Sequence, residues 1–450
     1  MIEALTLAVP ELGNRTYLIH DGEVAVVVDP QRDIHRVITA AATFGLRIAF
    51  VAETHIHNDY VSGGWALATR LGVPYLVAAE ERTAFERHPV RDGDEITVSP
   101  SFSLKVVATP GHTAHHVSYL ALDQGRPVLA CTGGSLLYGS TGRTDLAGEV
   151  HTEPLTRRQF RSVQVLGRLP DSVKVLPTHG FGSFCSPGAR GDVEGSTIGE
   201  QRTTNLAFRT ENEDAFVRQL LSGLTAYPSY YRHMAARNRV GAPEPDLTIP
   251  RALDPKDLRR ALGGSNWVVD LRPRTTFARS HLVRSINIEH SLPFSTYFGW
   301  LLPEKMTPLL MAETAERVAH AQQDLTRIGI DRLAGAYVGT LPPAALVHQV
   351  RSYPVRGFVD LVEASRRPGQ VTLDVRRDDE WAAGHLEGAV HLPLHELSDH
   401  LAEIPDGTLW VHCAAGFRAG IAASLLERHG RTVVLVDDQF AKLPVEAVTT

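Results

Sequence analysis

At 450 residues the chain exceeds a single ordinary core, and its length predicts about three domains. A hydrophobic content of 43% with 21% charged residues is that of a soluble globular protein, and a net charge of −6 excludes an electrostatic nucleic-acid binder. No apolar run is long enough to span a bilayer, the opening Met1-Ile2-Glu3-Ala4-Leu5 has no basic-then-apolar leader, and the three cysteines lie too far apart for a disulfide framework, so the expected compartment is a reducing cytoplasm.

The first segment alternates strands and helices. Val24 to Asp29 is a β-branched run ending at Asp29-Pro30, Ile34 to Phe44 has helical spacing, and Ile48 to Thr54 is strand-like. That strand leads into Thr54-His55-Ile56-His57-Asn58-Asp59-Tyr60. Further strands are predicted at Leu104 to Ala108, Val117 to Leu122, Val128 to Cys131 and Val173 to Leu176. The first of these runs into Thr109-Pro110-Gly111-His112 and the last into Pro177-Thr178-His179-Gly180. Any one of these histidines alone reads best as a core residue. Three clusters, each just past a strand, point instead to a metal site, because imidazoles and a carboxylate gathered at neighbouring strand ends suit zinc or iron.

From Thr197 to Asn238 the pattern is polar-helical, and Gly241-Ala242-Pro243-Glu244-Pro245 reads as a boundary. Beyond it the sequence repeats itself. Val269-Asp270-Leu271-Arg272, then Phe277-Ala278-Arg279-Ser280-His281-Leu282, parallels Leu373-Asp374-Val375-Arg376, then Trp381-Ala382-Ala383-Gly384-His385-Leu386. This is a duplication at domain scale.

In the second copy the strand Thr408-Leu409-Trp410-Val411-His412 enters Cys413-Ala414-Ala415-Gly416-Phe417-Arg418, and Ala419 to Glu427 reads as a helix. A cysteine between a strand end and a helix start meets outward-pointing backbone N–H dipoles, which favour a thiolate or persulfide. Gly416 lets the backbone of Ala414, Ala415 and Phe417 curl around the sulfur, and Arg418 closes the loop with positive charge. A buried inert cysteine is the alternative, but strand, Cys, Gly, Arg and helix in one register favour a nucleophile that holds sulfur as Cys–S–SH. In the first copy Leu309-Leu310-Met311 is followed by Ala312-Glu313-Thr314 and a helix from Val318 to Arg327, with no thiol. That copy is expected to be a spacer or docking surface.

The short loop, with Glu380-Trp381, Gly384-His385-Leu386 and Gly388-Ala389, resembles rhodaneses over the last hundred or so residues. Phosphatase loops share the architecture but place one more residue between Cys and Arg. The first segment resembles the metallo-β-lactamase fold, and within it the persulfide dioxygenases and their rhodanese fusions, on Asn14-Arg15-Thr16-Tyr17, Val28-Asp29-Pro30, His116-Val117-Ser118-Tyr119 and Gly142-Arg143-Thr144-Asp145. The implied fold is an αβ/βα sandwich followed by two rhodanese-like α/β domains with parallel sheets. The resemblance implies Fe(II), with zinc as the alternative, and no cofactor for the cysteine loop. It assigns metal binding to His55 and His112, and thiol-substrate binding to Arg143. The family's third ligand, an aspartate, falls on Gly134, and Tyr60 stands where the fold's motif has a histidine. His57 is then expected to complete a three-histidine site, with Asp59, His115 and His179 as further candidates.

The expected domains are about 1–240, 250–350 and 355–445. The leading function is a bifunctional persulfide-metabolising enzyme, combining a persulfide dioxygenase with a sulfurtransferase. Sulfur transfer alone, on a metal-poor first domain, and a non-catalytic sulfide sensor are the rivals. A dizinc hydrolase is disfavoured because Tyr60 and Gly134 remove ligands. Expected partners are small persulfides, thiols, thiosulfate or sulfite, with neither nucleic acid nor membrane, and a homodimer is the assembly considered.

Overall fold

Apolar alternation in the first half and parallel-sheet runs in the second fold as their periods require. The computed structural model describes all residues except 187–194, 304, 444–447 and 450, so the expected domain end at 445 lies outside the described residues. It divides into two compact units, Met1–Asp246 with Leu325–Gly329, and Leu247–Asp324 with Ile330–Thr450.

The first unit holds two six-stranded sheets. One runs Glu3–Val9, Asn14–His20, Val24–Val28, Arg47–Ala52, Tyr75–Ala78 and His88–Val90. The other runs Ser196–Thr197, Lys174–Pro177, Arg126–Gly133, Val117–Asp123, Phe102–Ala108 and Glu95–Thr97. Alternation puts Ile19, Val26 and Val28 of one sheet against Phe102, Leu104 and Tyr119 of the other in a shared core. The opposite faces pack on helices: Leu18, Val27 and Val51 meet Ile34, Val37 and Leu67, while Leu120, Ala130 and Val175 meet Val163 and Phe216. This is the expected αβ/βα sandwich. The histidine clusters leave the sheets at the ends of Arg47–Ala52, Phe102–Ala108 and Lys174–Pro177, so the fold gathers them at one rim.

The second unit repeats one topology twice. Ile286–Asn287, Val268–Asp270, Leu309–Ala312 and Gly335–Val338 form a parallel sheet in that order. Val390–His391, Gln370–Asp374, Thr408–His412 and Thr432–Val436 reproduce it, and Val355–Arg356 adds a fifth strand. The repeated Asp-x-Arg motif explains itself here. Asp270 and Asp374 are fully buried and paired bidentately with Arg272 and Arg376, which also donate to the carbonyls of Ser280 and Gly384. Each pair ties a central strand to the segment that follows it. Among the described residues no helix is long and apolar enough to cross a membrane.

Candidate functional sites

At the rim of the first unit each histidine has one nitrogen committed and the other turned inward. Thr54 Oγ1 lies 2.9 Å from His55 Nδ1, leaving His55 Nε2 to face His179 Nε2 at 3.3 Å. The carbonyl of Arg143 lies 2.6 Å from His112 Nδ1, and the buried His112 Nε2 has no partner. His57 Nε2 lies 2.9 Å from Glu53 and 3.3 Å from Asp29, both buried carboxylates, and its Nδ1 is left without a partner. Burial alone would lower the His57 pKa, but Asp29 and Glu53 together raise it to about 10. Burial holds His55 well below the ordinary histidine range and takes His112 down to about 3, so both imidazoles are neutral. Partners on the far nitrogen fix tautomer and ring direction, as the outer residues of metal sites do.

The nitrogens of His55, His57 and His179 lie within 4.8 Å of one another, and so do the ligand atoms of His112, His179 and Cys185. His179 is common to both sets, so His55, His57 and His112 gather around it; His57 Nδ1 and His112 Nε2 are buried without a partner, which suits a metal ion, and His57 would give up its Nδ1 proton to bind one. Asp59 is otherwise engaged: its Oδ2 accepts from Asn14 at 2.9 Å and lies 3.2 Å from His179 Nδ1, orienting that imidazole. His115 is half-buried and stands outside the cluster, lining a cleft of about 440 Å³ whose walls also include the buried His112 with Asn58, His151, Arg158 and Arg239.

Gly134 has a steric reason. A Cβ there would sit 2.2 Å from His112 Cδ2, so the His112 ring fills the space a side chain would need. Tyr60 stacks on His57 with ring centroids 4.3 Å apart, and His116 is fully bonded to Thr109 and the Gly134 amide.

Arg143, expected to bind the thiol substrate, lies inside the protein. It is 2% exposed. Its guanidinium donates twice to Asp145 and once each to the carbonyls of Phe184 and Thr225, with Tyr227 beneath it at 4.4 Å. Through these bonds its side chain braces the surrounding loops, and its carbonyl lies against His112 Nδ1. Sequence reasoning missed Glu53, Asp29 and the cleft arginines. A carboxylate before the His-x-His run was the one visible hint.

In the second unit Cys413 follows the strand Thr408–His412 directly and is 2% exposed. Gly416 takes φ 87 and ψ −28, the left-handed conformation, and the helix Phe417–Arg428 starts behind it. The amides of Ala414, Ala415 and Gly416 donate to no protein group among the described residues. Arg418 does not stand free: Glu380 receives it bidentately at 2.5 and 2.7 Å. Its charge is therefore shared with Glu380 beside the cysteine loop.

Residues 9–190 match the metallo-beta-lactamase superfamily and residues 359–443 the rhodanese-like domain. The chain thus joins an N-terminal metallo-beta-lactamase domain to a C-terminal rhodanese-like domain. A metallo-beta-lactamase of Staphylococcus aureus aligns with 75% of this chain and 99% of its own at 29% identity and a TM-score of 0.67. Persulfide dioxygenase ETHE1 of Homo sapiens is 29% identical over 195 residues, 42% of this chain and 69% of the human protein. A hydroxyacylglutathione hydrolase of Methylobacillus flagellatus is 29% identical over 37% of this chain, which spans 62% of that enzyme's length.

Proposed function

We propose that this chain is a bifunctional persulfide-metabolising enzyme, with a metal-dependent first domain that oxidises a low-molecular-weight persulfide and a sulfurtransferase centred on Cys413. The observation that carries the reading is the Cys413 loop, with its unpaired amides and left-handed Gly416 between strand and helix. The Cys413 thiolate attacks the outer sulfur of thiosulfate; the S–S bond breaks, sulfite leaves with the electron pair, and Cys413–S–S⁻ remains. An acceptor thiolate then takes that sulfur, forming its own persulfide and restoring the Cys413 thiolate. The loop amides offset the negative charge carried through both steps.

In the first domain His55, His57 and His112 would hold the metal, with Fe(II) favoured by the likeness to persulfide dioxygenase and zinc as the alternative. The metal would supply Lewis acidity and a place for dioxygen. The overall reaction, RSSH + O₂ + H₂O giving RSH + SO₃²⁻ + 2 H⁺, is balanced and yields sulfite. Arg158 in the cleft suits a carboxylate of an anionic thiol such as glutathione, and Arg239 lines the same cleft, paired with Glu81 at 3.2 Å. Glu53 and Asp29 keep the His57 ring oriented, and Tyr60 excludes water behind it.

The second reading, sulfur transfer alone, is favoured by Gly134, which removes the carboxylate of a two-histidine, one-carboxylate iron site. Oxygen uptake with glutathione persulfide, measured beside elemental analysis, separates the two. Uptake with near-stoichiometric iron, and loss of both in His112→Ala, is the expected result; iron-free protein without uptake, still turning over thiosulfate, leaves only the transferase. The hydrolase reading drawn from the hydroxyacylglutathione hydrolases requires a second metal, for which Tyr60 and Gly134 provide no ligand.

A further inference from the structure

The cysteine-free half of the second unit reaches the sulfur site through Arg274, at the start of the helix Arg274–Arg279. Its Nε donates to Asp437 at 2.7 Å, its Nη2 to the Ala415 carbonyl at 3.3 Å, and its Nη1 to Glu289 at 3.0 Å. Asp437 directly follows the strand Thr432–Val436, and Ala415 belongs to the cysteine loop. In a planar trans peptide the carbonyl and the following N–H point opposite ways. The Ala414 carbonyl is held in the same manner by the Phe440 amide at 2.8 Å. Holding both carbonyls from outside therefore turns the amides of Ala415 and Gly416 to the other side, where they donate to no protein group among the described residues.

Gly416 fits this clamp in two ways. Its φ of 87 is open to glycine, and a Cβ there would lie 2.0 Å from Asp437 Oδ1 and 2.9 Å from Arg274 Nε. A side chain at 416 would break the Arg274–Asp437 pair. From the same cysteine-free half, Tyr297 packs on Phe417 with ring centroids 5.7 Å apart, and Trp300 stacks on His395 at 4.7 Å. The half without a thiol thus packs directly on the half that holds one.

We propose that Arg274 is a positioning residue of the sulfur-transfer site: by holding the Ala415 carbonyl it fixes the Gly416 amide on the concave side of the loop, where it stabilises negative sulfur on Cys413. The proposal rests on the reading that Cys413 carries sulfur. It makes the cysteine-free domain a working wall of the site, beyond the spacer expected from its sequence.

The test uses the full chain with Arg274→Ala and Arg274→Lys. Iodoacetamide alkylation of Cys413 is followed against pH by peptide mass, together with thiosulfate-to-cyanide turnover and thermal melting. Lysine keeps a cation beside Asp437 but lacks the planar fork that reaches Asp437 and Ala415 together. Both variants are expected to move the alkylation profile about one pH unit alkaline, which is about tenfold in thiolate at fixed pH. Both are expected to lose about tenfold in kcat with KM little changed. A wild-type profile in Arg274→Ala, whatever its melting temperature, overturns the proposal. So does full rescue by lysine, which would leave only charge at work. Should the alanine variant not fold, the lysine profile alone decides. Wild-type protein that transfers no sulfur would instead remove the underlying reading, while the alkylation profile still reports on the loop.

Discussion

Gly134 concentrates the chemistry of the first site in one missing side chain. The resemblance to persulfide dioxygenases implies an aspartate ligand at this position; in the structure it is the space that His112 occupies, 2.2 Å from where a Cβ would stand. Restoring a carboxylate by Gly134→Asp is therefore expected to displace His112 and lower bound metal. Gly134→Ala tests the steric part without a new ligand: metal content is expected to fall at least about tenfold, with destabilisation of about 1–3 kcal/mol from overpacking. Unchanged metal in Gly134→Ala, by elemental analysis, would mean that His112 is not a ligand. His57 shows a second residue-scale lesson. Its Nε2 belongs to Glu53 and Asp29, so only Nδ1 remains for a metal. Which nitrogen of a histidine faces a site depends on partners distant in sequence, and spacing does not reveal it.

Among elements, the strand Thr408–His412 does two jobs, delivering Cys413 and burying His412. His412 is 0% exposed, and burial lowers its pKa from 6.5 to about 4, against the raising effect of Asp374. The unfolded chain takes up a proton on this ring below about pH 6.5 that the folded chain refuses until about pH 4. Stability is thus complete above 6.5 and is lost as pH falls through that interval, by up to about 3 kcal/mol. Chemical denaturation of the wild type between pH 7 and 5 is expected to show this loss together with that from the buried His55 and His112, and His412→Leu, packed between Phe358 and Phe440, to reduce the slope by one proton's share. An equal slope in both would assign the loss elsewhere. The strands were legible in the sequence because β-branched runs such as Val24–Val28 and Val371–Arg376 are strong local signals. The duplication was legible too, since Asp-x-Arg must recur where each central strand is tied down. The surroundings of Arg143 were not: its donations to the carbonyls of Phe184 and Thr225 join segments far apart in the chain. The cleft lined by Arg158 and Arg239 brings together residues from separate helices, which no local pattern joins.

At the scale of the whole molecule, one chain carries a metallo-beta-lactamase domain and a rhodanese-like domain. Persulfide oxidation yields sulfite, and sulfane-sulfur transfer from thiosulfate also releases sulfite or, run in reverse, consumes it. If the proposed activities both reside here, joining them on one chain raises the effective concentration of what they exchange. The proposed sulfur transfer rests on the thiol of the second unit, whose geometry is complete within the described residues. Its most direct test is thiosulfate- or polysulfide-dependent sulfur transfer to cyanide by wild type and Cys413→Ser, with the persulfide read by intact mass. Turnover and a 413-linked sulfur adduct in the wild type, both lost in the serine variant, is the expected result; undiminished turnover in Cys413→Ser would contradict it.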